Sequence, residues 1–279
     1  MEDFRKKVFW GDMWTRFGSL IPIQKSKLMK LIKFFPLCLL PFLLISCNSL
    51  EDKYQVEKRY WDNEDYKNVV RELRFGIEPD EQIPSLSTPE KRVVFEKLVD
   101  EQNYTVVLDD EELGTKYKSE IASEFFERWK DMNKIYRATD RKDQYIYDRE
   151  LVKVWHFGLG LQLRYFKLGN DLIQDNADDP NAGRVKRNMK SNISTLISNY
   201  NIYLDEINNE DAFSEEGKKL FSDGIENYFI KLIQQHPKAD YSSMENKIDL
   251  MKKKSRSDMI IKSLNRVSER IQEEKSEQV

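Results

Sequence analysis

The sequence predicts an all-α protein of about seven or eight helices, packed as a bundle or as an elongated antiparallel array. Three observations lead there. Apolar residues recur at spacings of three and four over most of the chain after residue 53. One run alone, NYTVVL at 103–108, has β-like character. Glycine and proline number only 10 and 8 in 279 residues, so few of the periodic segments meet a breaker.

Taken in order, residues 53–74 carry Tyr54, Trp61, Val69, Val70 and Leu73 in a helical pattern, ended by Gly76 and Pro79. A proline-containing linker spans 78–87. Thr88-Pro89-Glu90 opens the next helix, with threonine as N-cap, proline in the first turn and an acid at the positive end of the dipole. Residues 103–108 then read as one short strand or an extended connection, with no partner strand in view. Leu113, Tyr117, Ile121, Phe125, Trp129, Met132 and Tyr136 share one helical face, on a helix of about 28 residues and about 42 Å, with Asp109 and Asp110 placed to cap it. A charged break follows at 137–143. Residues 147–165 are apolar nearly all round, which suits a central buried helix. Phe157, Leu159, Leu161, Leu163 and Tyr165 also alternate like a strand, but helical flanks on both sides favour helix. NADDPNAG at 176–183 is a loop. Val185, Met189, Ile193, Leu196, Tyr200, Leu204 and Ile207 mark a further helix. Another starts at Ser214 and stops at Pro237. Ser242 with Glu245 matches a capping box. After a break at 255–258, Ile260, Leu264, Val267 and Ile271 form a heptad-like tail helix, and residues 276–279 fray.

Ahead of this body lies a segment of different character. Residues 29–47 read MKLIKFFPLCLLPFLLISC. Lys30 and Lys33 make a basic start, and residues 34–45 are an apolar run too short to span a bilayer. The run ends Leu44-Ile45-Ser46-Cys47. These four residues resemble the lipobox of bacterial lipoprotein precursors, in a relaxed, spirochaete-like form. The resemblance implies transfer of diacylglycerol to the Cys47 sulfur, cleavage before Cys47 and acylation of the new amino group. The expected organisation is an over-called extension at 1–28, a signal peptide at 29–46, a lipidated tether at 47–53 and a helical domain at 54–275. Removing residues 1–46 takes away 8 of 46 basic and 3 of 49 acidic residues, leaving 38 against 46 and a net charge of −8. An acidic body of this kind argues against nucleic acid as partner and against a polybasic grip on anionic lipid.

Chemistry-bearing motifs are sparse. After Cys47 the chain has no cysteine, and its two histidines, His156 and His236, lack partners at metal-ligand spacing. His156 sits in the most apolar helix and reads as a packed side chain. His236 sits at a helix end, where a cation complements the dipole. Gly158 and Gly160 lack the third glycine of a dinucleotide fingerprint and read as close-packing positions. Asp175, Asp178 and Asp179 do not continue into a calcium loop, because Pro180 and Lys186 stand where the glycine and the bidentate glutamate belong. No catalytic residue, metal site or cofactor is expected.

Aromatic pairs Tyr60 with Trp61, Tyr145 with Tyr147, and Tyr200 with Tyr203 lie near polar stretches and are the candidate interaction surface. The expected function is that of a non-enzymatic envelope lipoprotein. It would be held at the membrane, outer membrane or periplasmic face, through acylated Cys47, and would act by contact with a protein partner. Exported, elongated, tyrosine-rich helical chains of this size are similar to the flagellar coiling proteins that sheathe periplasmic flagella of certain spirochaetes. That similarity implies a structural role on the flagellum and transfers no residue; the lipobox departs from it. The alternative is a surface-exposed lipoprotein that binds a host macromolecule or a small ligand.

Overall fold

The computed structural model describes residues 50–75, 88–136, 145–175 and 182–277. The chain divides into Met1–Ser46 and Cys47–Val279, and every described residue belongs to the second unit. The expectations for the signal segment, Cys47, the linker, the charged break at 137–143 and most of the loop at 176–183 fall outside the described residues.

Among those residues there is no strand. The elements are α1 (Leu50–Lys53), α2 (Asn63–Phe75), α3 (Pro89–Leu98), α4 (Gln102–Leu108), α5 (Thr115–Tyr136), α6 (Asp148–Asp175), α7 (Ala182–Leu204), α8 (Glu215–Gly224), α9 (Ile230–Gln235), α10 (Ser242–Lys254) and α11 (Asp258–Ser276). A 3-10 turn, Asp205–Ala212, follows α7, and a π segment, Ile225–Phe229, joins α8 to α9 in one rod. The all-α expectation holds.

α6 is the central element. Both faces are covered, with buried residues running from Asp148 to Asn170, and it packs against α5, α7 and α8. Its 157–165 stretch is helical, so the strand-like alternation was overridden by the helical flanks. Gly158 lies under the indole of Trp129, whose Nε1 donates to Val154 O at 2.9 Å. A methyl group at 158 would overlap that ring. Gly158→Ala is therefore expected to cost about 1–3 kcal/mol, measurable by urea denaturation; an unchanged midpoint would show that the indole moves aside freely.

Four expectations are corrected. NYTVVL is helix α4. Asp100 Oδ1 accepts from Gln102 N at 2.9 Å, and the Tyr104 ring inserts between Phe125 and Phe157 at 6.2 and 4.9 Å. Burial of that ring outweighs the weak β-preference of Val106 and Val107. Residues 53–74 are not one helix: α1 ends at Lys53, Gln55 takes a left-handed φ of 51° in the turn that follows, and α2 begins only at Asn63, capped by Asp62 Oδ1, which accepts from Glu64 N and Asp65 N. α5 starts at Thr115, since Asp110 caps the preceding turn and Asp109 pairs with Arg164. Its buried line is Ala122, Phe125, Met132 and Tyr136, while Tyr117 is half exposed. The capping box at Ser242 does not form. Asp240 Oδ1 accepts from Ser242 N at 3.0 Å, and Glu245 instead takes Gln272 and Lys275 of α11, both at 2.7 Å. The cap expected at Thr88 is present, and Ser214, where a helix start was expected, caps α8 by accepting from Gly217 N at 3.0 Å.

Candidate functional site

The polar side chains of α6 gather where it meets α4, α7 and the α8–π junction. Tyr203 on α7 donates its hydroxyl proton to Phe221 O at 3.2 Å. His156 Nε2 lies 3.2 Å from the same Tyr203 oxygen, which is left to accept from it. Both side chains cross the α8 backbone at Gly224, where any Cβ would overlap the imidazole. One residue later the helix widens into its π turn, a feature that often marks a functional or strained position.

Tyr228 lies within that π turn. Its ring is 5.3 Å from the His156 ring, and its hydroxyl donates to Glu101 Oε1 at 2.7 Å. Arg164 stands 3.8 Å from the other Glu101 oxygen and forks onto Asp109, with Nε and Nη2 each at 2.9 Å. Its guanidinium also lies over the Tyr104 ring at 5.4 Å. Gly160 leaves the room that Glu101 and Tyr104 occupy. The second glycine of the pair is thus a close-packing position too.

Electrostatics follow from burial. Desolvation lowers the His156 pKa from 6.5 to about 4; the Asp223 charge and the Leu220 backbone oppose it, and Lys153 adds to it. His156 is therefore neutral at pH 7. Burial raises Tyr228 well above its ordinary value, reinforced by the Glu101 carboxylate. Each acid, base and hydroxyl in the chain from Asp109 to Tyr203 already has a partner inside the fold. The cluster pins four elements around a π turn and presents no free nucleophile.

His236 is corrected. Burial lowers its pKa, and its Nε2 has no hydrogen-bond partner among the described residues, so it is no dipole-complementing cation. The end of α9 is held by Tyr241, whose hydroxyl donates to Leu232 O and His236 O at 3.2 and 3.0 Å.

The candidate interaction surface divides. Trp61, Tyr200 and Tyr203 are buried in the core, so they offer no surface. Their polar tips are satisfied internally: Trp61 Nε1 donates to Gln55 O at 3.3 Å and Tyr200 Oη to Leu159 O at 2.9 Å. Tyr60, Tyr145 and Tyr147 are half-buried, and Tyr145 donates to Glu206 at 2.7 Å while its ring meets Phe213. The heptad-like face of α11, from Ile260 to Ile271, is covered by α8, the π turn, α9 and α10. Sequence reading missed Glu101, Arg164 and Tyr228, whose spacing along the chain carries no signal.

Elsewhere a surface cleft of about 300 Å³ is lined by Glu210, Asp211, Glu215, Lys218, Arg256 and Asp258. It shares no residue with the His156 cluster. Glu210 there is occupied in accepting from Ser255 Oγ and Arg256 N. Among the described residues no group of three or more histidine, cysteine or carboxylate side chains is placed to hold a metal ion. No family model, curated protein or solved structure matches this chain.

Proposed function

We propose that the chain is an exported lipoprotein of the bacterial cell envelope, anchored through acylated Cys47, whose helical body acts by contact with a protein partner rather than by catalysis. The observation that carries this reading is the run at 29–47: a basic start, twelve apolar residues and Leu-Ile-Ser-Cys, with α1 beginning three positions later at Leu50. Two features of the body support it. No helix among the described residues is long and apolar enough to cross a membrane, which is compatible with an anchor at Cys47. The acid, base and hydroxyl groups around His156 are engaged with one another.

Two or three acyl chains give stable membrane attachment where one is marginal. Cys47→Ala is accordingly expected to abolish labelling by a palmitate analogue and to move the protein from the detergent phase to the aqueous phase. Unchanged partitioning would overturn the anchor. A place on periplasmic flagella is the narrower form of the proposal, and absence of the protein from purified flagellar fractions would remove it. Surface proteolysis of intact cells separates a periplasmic structural role, which predicts protection, from a surface-exposed binding lipoprotein, which predicts digestion.

A further inference from the structure

We propose that the face built from α1, the turn after it and α3 lies against the lipid surface that holds Cys47. This rests on the lipoprotein reading and adds which part of the body meets the membrane.

The first argument is reach. Two residues, Asn48 and Ser49, separate Cys47 from Leu50, and three fully extended steps of at most about 3.6 Å cover about 11 Å in all. The start of α1 is thus held within about that distance of the acylated sulfur. The second argument is rigidity. α1 is not a free lever, because Tyr54 is buried, Val56 N donates to Glu51 O at 3.1 Å, and the turn closes through the left-handed Gln55. Trp61 ties that turn down, donating Nε1 to Gln55 O and its backbone N–H to Asn103 Oδ1 at 2.7 Å. A short tether on a fixed corner limits which faces of the body can rest on the bilayer.

The third argument is composition. Lys97 of α3 donates to the carbonyls of Lys58 and Arg59, the latter at 2.6 Å, which places α3 beside the turn. Val93 precedes Lys97 by four residues and so shares its helical face. Val93 is 42% exposed, with half-buried Leu50, Val56 and Tyr60 on the adjoining segment. Apolar and tyrosine side chains flanked by long cations such as Lys53 and Arg59 suit the headgroup zone, where aliphatic stems bury and charged ends stay wet. Glu51, Asp52 and Glu57 offset those cations. Contact is therefore imposed by the anchor, and the face is expected to sit equally on zwitterionic and anionic lipid.

The mature chain has no cysteine after Cys47, so single-cysteine labelling is clean. Val93→Cys and Arg59→Cys would each carry an environment-sensitive fluorophore on the acylated protein in phosphatidylcholine vesicles, with and without phosphatidylglycerol. Ile202→Cys on α7 and Leu250→Cys on α10, at positions 51% and 45% exposed, serve as references. The expected result is several-fold weaker quenching by aqueous iodide at 93 and 59 than at 202 and 250, together with quenching by a headgroup-attached quencher, in both lipid mixtures. Labels at 93 and 59 as open to iodide as those at 202 and 250 would overturn the proposal while leaving acylation intact. Failure of palmitate labelling would instead bring down the lipoprotein reading, and this inference with it.

Discussion

Trp61→Ala is expected to destabilise the folded body by about 3–5 kcal/mol, the range for removing a fully buried large aromatic side chain. The indole is 0% exposed, packs 6.4 Å from the Tyr66 ring and closes the turn between α1 and α2. Truncation leaves a cavity beside Tyr66, which itself stacks on Phe157 at 5.7 Å and donates to Leu98 O at 3.1 Å. It also removes the indole donor from Gln55 O. For a body of this size the loss corresponds to a fall in Tm of roughly 10 °C. Trp61→Phe keeps most of the apolar area and forfeits the hydrogen bond, so its cost should be only about 1–2 kcal/mol. Urea denaturation of the mature chain measures both. A near-neutral Trp61→Ala would place the indole on the surface, as its sequence neighbour Tyr60 first suggests.

The second large effect is acid sensitivity at the α8–π junction. Burial holds the folded-state pKa of His156 at about 4, against 6.5 without burial. Between those values the unfolded chain binds more protons than the folded one, so stability rises with pH. The contribution of neutral His156 is complete above pH 6.5 and is lost as the pH falls toward 4. At about 1.36 kcal/mol per unit the loss is at most about 3 kcal/mol. His156→Gln keeps a donor near Tyr203 but cannot titrate in this range. Its stability should therefore fall less steeply between pH 7 and 4.5 than that of the unsubstituted protein, while His236 and the carboxylates act equally on both. Parallel pH profiles would show that His156 is not held neutral by the fold. The protection of amides 220–230 against hydrogen exchange, corrected for the intrinsic rate at each pH, should fall on acidification, because a charged imidazole is disfavoured in its buried place beside Gly224.

Much of the fold was legible because helices announce themselves locally. Thr88-Pro89-Glu90, the 4-3 spacing of the α11 face and the all-round apolarity of α6 depend on residues within a few turns of one another. Local pattern misleads where a distant contact decides. α4 looks like a strand until Tyr104 finds Phe157, 53 residues away. Glu245 looks like a capping residue until Lys275 takes it. The helical phase already put Tyr200 between Leu196 and Leu204 on an apolar face. Its hydroxyl suggested surface only because the Leu159 carbonyl that satisfies it, 41 residues earlier, is invisible in the sequence.

The sequence by itself determined the class of the body, the order of its main helices and the candidate lipidation residue. Each rests on side-chain periodicity, capping chemistry or a contiguous motif, all of them short-range along the chain. Only the tertiary structure decided which aromatic residues are core, where α6 lies among its neighbours, and how His156, Tyr203, Tyr228, Glu101 and Arg164 come together. Those outcomes depend on which polar atoms find partners once water is excluded, and the partners lie tens of residues apart. The same holds for the corner at α1: the sequence puts two residues, Asn48 and Ser49, between it and Cys47, but the packing of Tyr54, Trp61 and Lys97 holds it in place on the body.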